Sequence, residues 1–181
     1  MKNIQGFTIM EVLVSAVIIS VLIMVAFAVL DVGRGSWFGG DVRAELRKEM
    51  IRAFMAMERE LRETSPAQQS VSYDTSSTSI TFRVPQDIDG DGTILDSFGY
   101  IEWPSLANSI VYSLNGNNEI IRTASGVTRV LARGITGLQF SRNRNPALPL
   151  ELLIINITAQ KASSVGKIAT ETGQLIVKMR N

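Results

Sequence analysis

Between residues 7 and 30 the chain reads FTIMEVLVSAVIISVLIMVAFAVL, 24 positions of which only Thr8, Glu11, Ser15 and Ser20 are not apolar. As a helix rising about 1.5 Å per residue this run is roughly 36 Å long, enough to cross a hydrocarbon core of about 30 Å with some tilt. It reads as a transmembrane helix. The competing reading is a cleaved secretory signal, since Ala26-Phe27-Ala28 has the small-residue cleavage pattern. The length of the run and the carboxylate near its start both oppose that reading. Four glycines follow, Gly33, Gly35, Gly39 and Gly40. Each costs about 1 kcal/mol relative to alanine inside a helix, so the pattern predicts a weakened, glycine-interrupted stem. Over residues 41–63 apolar side chains then recur at steps of three and four, at Val42, Leu46, Met50, Phe54, Met57 and Leu61. That stripe predicts an amphipathic helix with one buried face, packed on a sheet or paired along a coiled-coil seam. Ser65-Pro66 stops it.

Beyond residue 65 the period falls from about 3.6 to two. SITFRV (79–84), SIVYSL (109–114), EIIRT (119–123) and GLQFSR (137–142) alternate apolar with polar, as half-buried strands do. Residues 150–159 and 174–179 add apolar strand candidates, and Asn115-Gly116 marks a hairpin between the second and third of these runs. The order predicts an α+β chain, a long N-terminal helix with a transmembrane and an amphipathic part, packed on a C-terminal antiparallel β-sheet domain. Its divisions fall at residues 1–6, 7–30, 31–64 and 65–181.

Composition narrows the chemistry. The 181 residues contain no histidine and no cysteine. Ser-His-Asp and Cys-His nucleophiles, zinc held by nitrogen or sulfur, and disulfides are therefore excluded, and no enzymatic activity is expected. Lys and Arg number 18 against 17 Asp and Glu. A net charge of +1 provides no field to attract nucleic acid, and none is expected as a partner.

Glu11 is the informative polar residue of the apolar run. A carboxylate inside a spanning helix costs on the order of 2.5–3.5 kcal/mol and normally has a partner. Ser15 stands at i+4 and Phe7 at i−4, so no cation lies at helical spacing. Cutting the chain before Phe7 would place a new α-amino group one turn from Glu11, on this chain or on a neighbouring copy. The segment MKNIQG and the run GFTIMEVLVS, which share Gly6, resemble the prepilin signature of type IV pilins and type II secretion pseudopilins: a short leader with a basic residue, Gly, Phe, and Glu fifth in the mature chain. The resemblance implies a pilin-like fold and cleavage by a prepilin peptidase between Gly6 and Phe7. It further implies N-methylation of Phe7, and a Glu11 that guides docking against other pilins or pseudopilins. It places the chain as a single-pass protein of the bacterial inner membrane, its C-terminal domain in the periplasm until the subunit enters a filament or pilus tip.

A second stretch, VYSLNGNNEIIRTASGVTRVLARGITGLQFSR, resembles the larger minor members of that family, the J-type pseudopilins and W-type minor pilins. It implies a subunit present in few copies that primes or caps a type IV filament, in a type II secretion pseudopilus or a type IV pilus. The alternative function is a tip-displayed binding module in which the sheet domain recognises a surface or a secreted substrate.

One loop carries candidate metal chemistry. DIDGDGTILD places Asp87, Asp89 and Asp91 at the first, third and fifth positions of a calcium-type loop, with Gly92 at the turn, Thr93 able to offer its carbonyl and Asp96 within reach. Calcium takes six to eight oxygens, and short carboxylates on a glycine-rich turn supply them. Position twelve is Phe98, where such a loop has a bidentate glutamate, so affinity in the region of 0.1–1 mM is expected of any site here. The other reading is a solvated Asp-Gly turn. Arg142 and Arg144 read as a short, solvated basic loop, and Trp37 and Trp103 as core or interface anchors.

Overall fold

The computed structural model describes residues 8–144, 151–163 and 166–180, with the backbone alone at 34–39, 143–144 and 151. Two compact units are present, Met1–Asp41 and Val42–Asn181. One helix, α1 (Ile9–Glu63), contributes to both. The expected interruption at the glycines is corrected: α1 runs through all four. Glycine costs a helix entropy but keeps its N–H, whereas proline would delete a backbone bond and clash with the preceding turn. No side chain lies within 4 Å of where a Cβ would stand on Gly33 or Gly40, so neither serves close packing within this chain. The helix ends where the Pro66 rule places its end, with Ser65 extended at φ −105° and ψ 159°.

In the first unit, Ile9–Gly33 is long and apolar enough to cross a membrane, with a mean hydropathy of 3.0, and its apolar side chains are exposed. The second unit buries the predicted stripe. Leu46, Met50, Met57 and Leu61 are at most 5% exposed and are joined by Ala53, while Val42 and Phe54 pack partly buried against them. Eight strands follow, β1 (Ser76–Ser77), β2 (Ser79–Phe82), β3 (Ile110–Leu114), β4 (Glu119–Ala124), β5 (Val127–Arg133), β6 (Ile135–Arg144), β7 (Glu151–Ala162) and β8 (Ile168–Lys178), and buried side chains of β2 to β8 complete the same core. The period of two survives into the core. Leu153, Ile155, Ile157 and Ala159 of β7 are buried, and so are Ile80 and Phe82 of β2 and Ile110 and Tyr112 of β3.

The strands form two four-stranded sheets, β1-β6-β7-β8 and β2-β3-β4-β5, with every pairing antiparallel. The division falls at Gly134, between β5 of one sheet and β6 of the other. Gly134 has φ +72°, and a Cβ there would stand 3.3 Å from the Gln160 carbonyl oxygen. Its own carbonyl accepts the Gln160 N–H at 2.8 Å, and Ile135 N–H bonds the Asn118 carbonyl at 2.8 Å. A residue without a side chain thus lets the chain leave one sheet and enter the other.

Helix and sheet pack tightly at Gly173 of β8, where a Cβ would meet Phe54 Cε2 at 2.9 Å and Met50 Sδ at 3.6 Å. Gly173→Val is expected to destabilise the second unit by about 1–3 kcal/mol through overpacking. Thermal unfolding of the detergent-solubilised chain checks this, and an unchanged midpoint would show that Phe54 yields freely.

The basic-loop reading of Arg142 is corrected. Arg142 lies in β6 and is 8% exposed, its guanidinium donating to the Pro66 carbonyl (3.2 Å) and the Tyr73 hydroxyl (2.7 Å) and lying 3.8 Å from the Tyr73 ring centre. An inward position in the alternation therefore buries the charge, and the carbonyl and the ring offset its lost hydration. Trp103 is half-buried; the side chains of Trp37 and Arg144 lie outside the described residues.

Candidate functional site

The chain starts α1 through a local device. Thr8 accepts the Glu11 N–H at its carbonyl (3.1 Å) and at its hydroxyl (3.3 Å), and its carbonyl also accepts the Val12 N–H at 3.2 Å. Thr8-Ile9-Met10-Glu11 therefore has the spacing of a capping box, with Glu11 in the first helical turn, where the positive end of the helix dipole favours a carboxylate. Further along, the Ser15 and Ser20 hydroxyls donate to the carbonyls of Glu11 (2.7 Å) and Ala16 (2.8 Å). These hydroxyls are satisfied within the helix. The Glu11 side chain is exposed and has no ion pair among the described residues. Of the polar side chains along the run, Glu11 is the one that still needs a cation from outside the helix. Gly6 and Phe7 lie outside the described residues.

The second candidate is the acidic loop between β2 and β3. Carboxylate oxygens of Asp87, Asp89 and Asp91 lie within 4.8 Å of one another. The turn is ordered by its own acids. Asp87 accepts the N–H groups of Gly90 (2.7 Å) and Gly92 (2.9 Å), Asp89 that of Asp91 (3.1 Å), and Asp91 both the N–H (2.8 Å) and the hydroxyl (2.9 Å) of Thr93. Asp96 is not grouped with them. Its carboxylate holds the next turn instead, accepting the N–H of Phe98 and of Tyr100, both at 2.9 Å. Three carboxylates and the Thr93 oxygens are the donor set a hard cation would find here.

Residues 1–27 match the family model described as the prokaryotic N-terminal methylation motif. The amino terminus therefore carries the motif that marks type IV pilins and pseudopilins. No curated protein and no solved structure matched the chain. The motif of this pilin-type subunit implies processing by a prepilin peptidase and assembly with other pilin subunits. The apolar run Ile9–Gly33 has the length and composition that fit the membrane anchor of such a subunit. Within the pilin motif, Glu11 is the group whose chemistry is left open by its own helix.

A third cluster of the pilin-type subunit escaped the sequence patterns. Glu60, on the helix, accepts the Tyr112 hydroxyl at 2.6 Å and the Arg122 Nε–H at 3.0 Å. Tyr112 and Arg122 are register partners on β3 and β4, so their side chains share a face. Burial, and then the bond to Glu60, pushes the Tyr112 hydroxyl well above the usual tyrosine range. The same bond raises Arg122. Glu60 reads in sequence as one more acid of a balanced helix face. A two-residue turn at Asn115-Gly116 would set Tyr112 opposite Glu119, so the pairing of Tyr112 with Arg122 follows only from the longer turn seen in the structure.

Proposed function

We propose that this chain is a minor pilin or pseudopilin: a structural, non-catalytic subunit held in the inner membrane by α1, with its second unit in the periplasm, that primes or caps a type IV filament. The observation that carries the reading is the methylation motif at residues 1–27 continuing into an apolar helix with Glu11 in its first turn. After leader removal the freed amine of Phe7 stands beside Glu11 of its own or a neighbouring chain. Pairing with a neighbour neutralises both charges as the helices pack, so register is selected by charge and area is buried by the apolar run. The likeness of residues 111–142 to J-type and W-type members supports placement near the tip. Deleting the chain in its source organism, then quantifying sheared surface pili and protein released to the medium, tests this. Loss of pili with intact secretion assigns a minor pilin, loss of secretion with intact pili a pseudopilin, and no change in either overturns the reading.

The proposal includes calcium at Asp87, Asp89 and Asp91. Three carboxylates this close repel one another, and a divalent cation removes that cost. Calorimetric titration of the solubilised chain is expected to give a dissociation constant of about 0.1–1 mM, lost in the double variant Asp89→Asn, Asp91→Asn. Absence of calcium-dependent heat up to about 5 mM would leave a solvated turn.

A further inference from the structure

Two exposed surfaces of the Val42–Asn181 unit carry opposite charge around apolar side chains; the first includes the acidic loop described above, taken here in its cation-free state, and the second lies outside the methylation motif. The first lies between β2 and β3. Residues 84–118 hold five Asp and Glu and no Lys or Arg, in a chain whose net charge is +1. Leu95 and Ile101 pair as an antiparallel bridge, and the turn they close presents Phe98, 83% exposed, beside Tyr100, 72% exposed. The presentation is ordered. Asp96 holds the N–H of both aromatic residues, and its own N–H bonds the Tyr100 carbonyl at 2.8 Å. An aromatic side chain carried on a backbone already ordered by its own turn loses only side-chain freedom on docking, which suits an interface anchor.

The second surface is the side of α1 opposite the core. At about 100° per residue, Lys48, Ile51, Arg52, Met55, Arg59 and Arg62 fall on one face, and all six are exposed. Ile51 and Met55 are 55% and 63% exposed, with the cations around them. Glu49 and Glu58, which pair with Arg52 (3.9 Å) and Arg62 (2.5 Å), stand at the flanks. The result is an apolar spot in a basic rim, the complement of an aromatic tip in an acidic lobe.

We propose that the turn closed by Leu95 and Ile101 in one copy docks on the outward face of α1 in a second copy, with Phe98 between Ile51 and Met55 and the lobe's carboxylates facing Lys48, Arg52 and Arg59. Both surfaces are exposed on the same chain, so the fit is between copies. It joins two different patches and is therefore head-to-tail, able to stack the few copies of a minor subunit without involving Glu11 or leader cleavage. Charge fixes the register and the aromatic side chain supplies the buried area.

The test uses the full-length chain in neutral detergent with EDTA, followed by sedimentation at increasing concentration. A lobe variant (Phe98→Ser, Asp89→Lys) and a helix-face variant (Met55→Ser, Arg52→Glu) change exposed positions, and thermal melts confirm that each folds. The wild type is expected to form growing oligomers whose association weakens about tenfold or more between 0.1 and 0.5 M salt. Each variant alone is expected to stay monomeric. Their equimolar mixture is expected to stop at dimers, because one intact lobe then meets one intact helix face. A monomeric wild type, wild-type association in either variant, or failure of the mixture to pair would each overturn the contact. Association through the apolar run would persist in both variants and is distinguished in that way.

Discussion

With alanine at Glu11, the chain is expected to insert and to be processed as usual, yet to be recovered in filament fractions at less than about a tenth of the wild-type amount. The alanine variant removes the carboxylate and strands the neighbouring amine; a factor of ten corresponds to about 1.4 kcal/mol, below the roughly 2.5–3.5 kcal/mol that an unpaired charge costs within the membrane, so loss of the pairing suffices. The capping hydrogen bonds from the Glu11 N–H to Thr8 use backbone and Thr8 atoms only, so the helix start survives the substitution. Immunoblots of membrane and sheared-filament fractions separate the two steps. Gly6→Ala serves as the contrast, expected to stop the chain at its uncut length. Normal filament incorporation of the alanine variant would sink the pairing account.

The second large effect is expected at Glu60. Glu60→Ala removes the acceptor of the buried Tyr112 hydroxyl and the counter-charge of Arg122, whose side chain is 24% exposed against 16% for Glu60. Breaking a dried ion pair from one side costs more than the pair was worth, because the stranded partners have lost their water. We expect about 2–4 kcal/mol of destabilisation and a fall of roughly 6–15 °C in the unfolding midpoint of the second unit. Tyr112→Phe, which removes one hydroxyl, is expected to cost about 1 kcal/mol. A pH scan adds a signature. Unfolded tyrosine releases its proton near pH 10, while folded Tyr112 keeps it to higher pH. Its contribution is therefore complete below about pH 10 and declines as the pH rises beyond it. Tyr112→Phe is expected to flatten that decline relative to the wild type, and identical alkaline profiles would show that Tyr112 is not the group responsible.

Much of this architecture was legible from periodicity. The stripe over residues 41–63 became the buried face of α1, and six strand candidates became β2, β3, β4, β6, β7 and β8. β5 lacks the signal because four of its first residues are exposed, with Val127 and Val130 turned to solvent, so it shows no alternation. The hairpin at Asn115-Gly116 formed with different chemistry: Asn118 takes the positive φ of 58°, and the Asn115 side chain accepts the N–H of Asn117 and of Glu119. The chain changes sheets twice, between β1 and β2 and again at Gly134, and no period reports either crossing. Arg142 was misread, and the cluster at Glu60 went unseen, for one reason. A charge at an inward position looks solvated until the partners that dry it, Tyr73 and Pro66 or Tyr112 and Arg122, are known from the fold. The motif at residues 1–27 was fully legible, because it is a local signal and needs no tertiary context.

The distance along the chain between α1 and its cover has a consequence for biosynthesis. Arg47 of the helix reaches Glu171 of β8 across 124 residues, and Phe54 lies against Gly173 of the same strand. At about 5–20 residues per second, β8 emerges roughly 6–25 s after the helix it covers. For that interval Met50 and Phe54 lack the strand that lies against them at Gly173. The nascent chain therefore passes through a state in which this part of its apolar stripe lacks its final cover, the kind of state most exposed to aggregation.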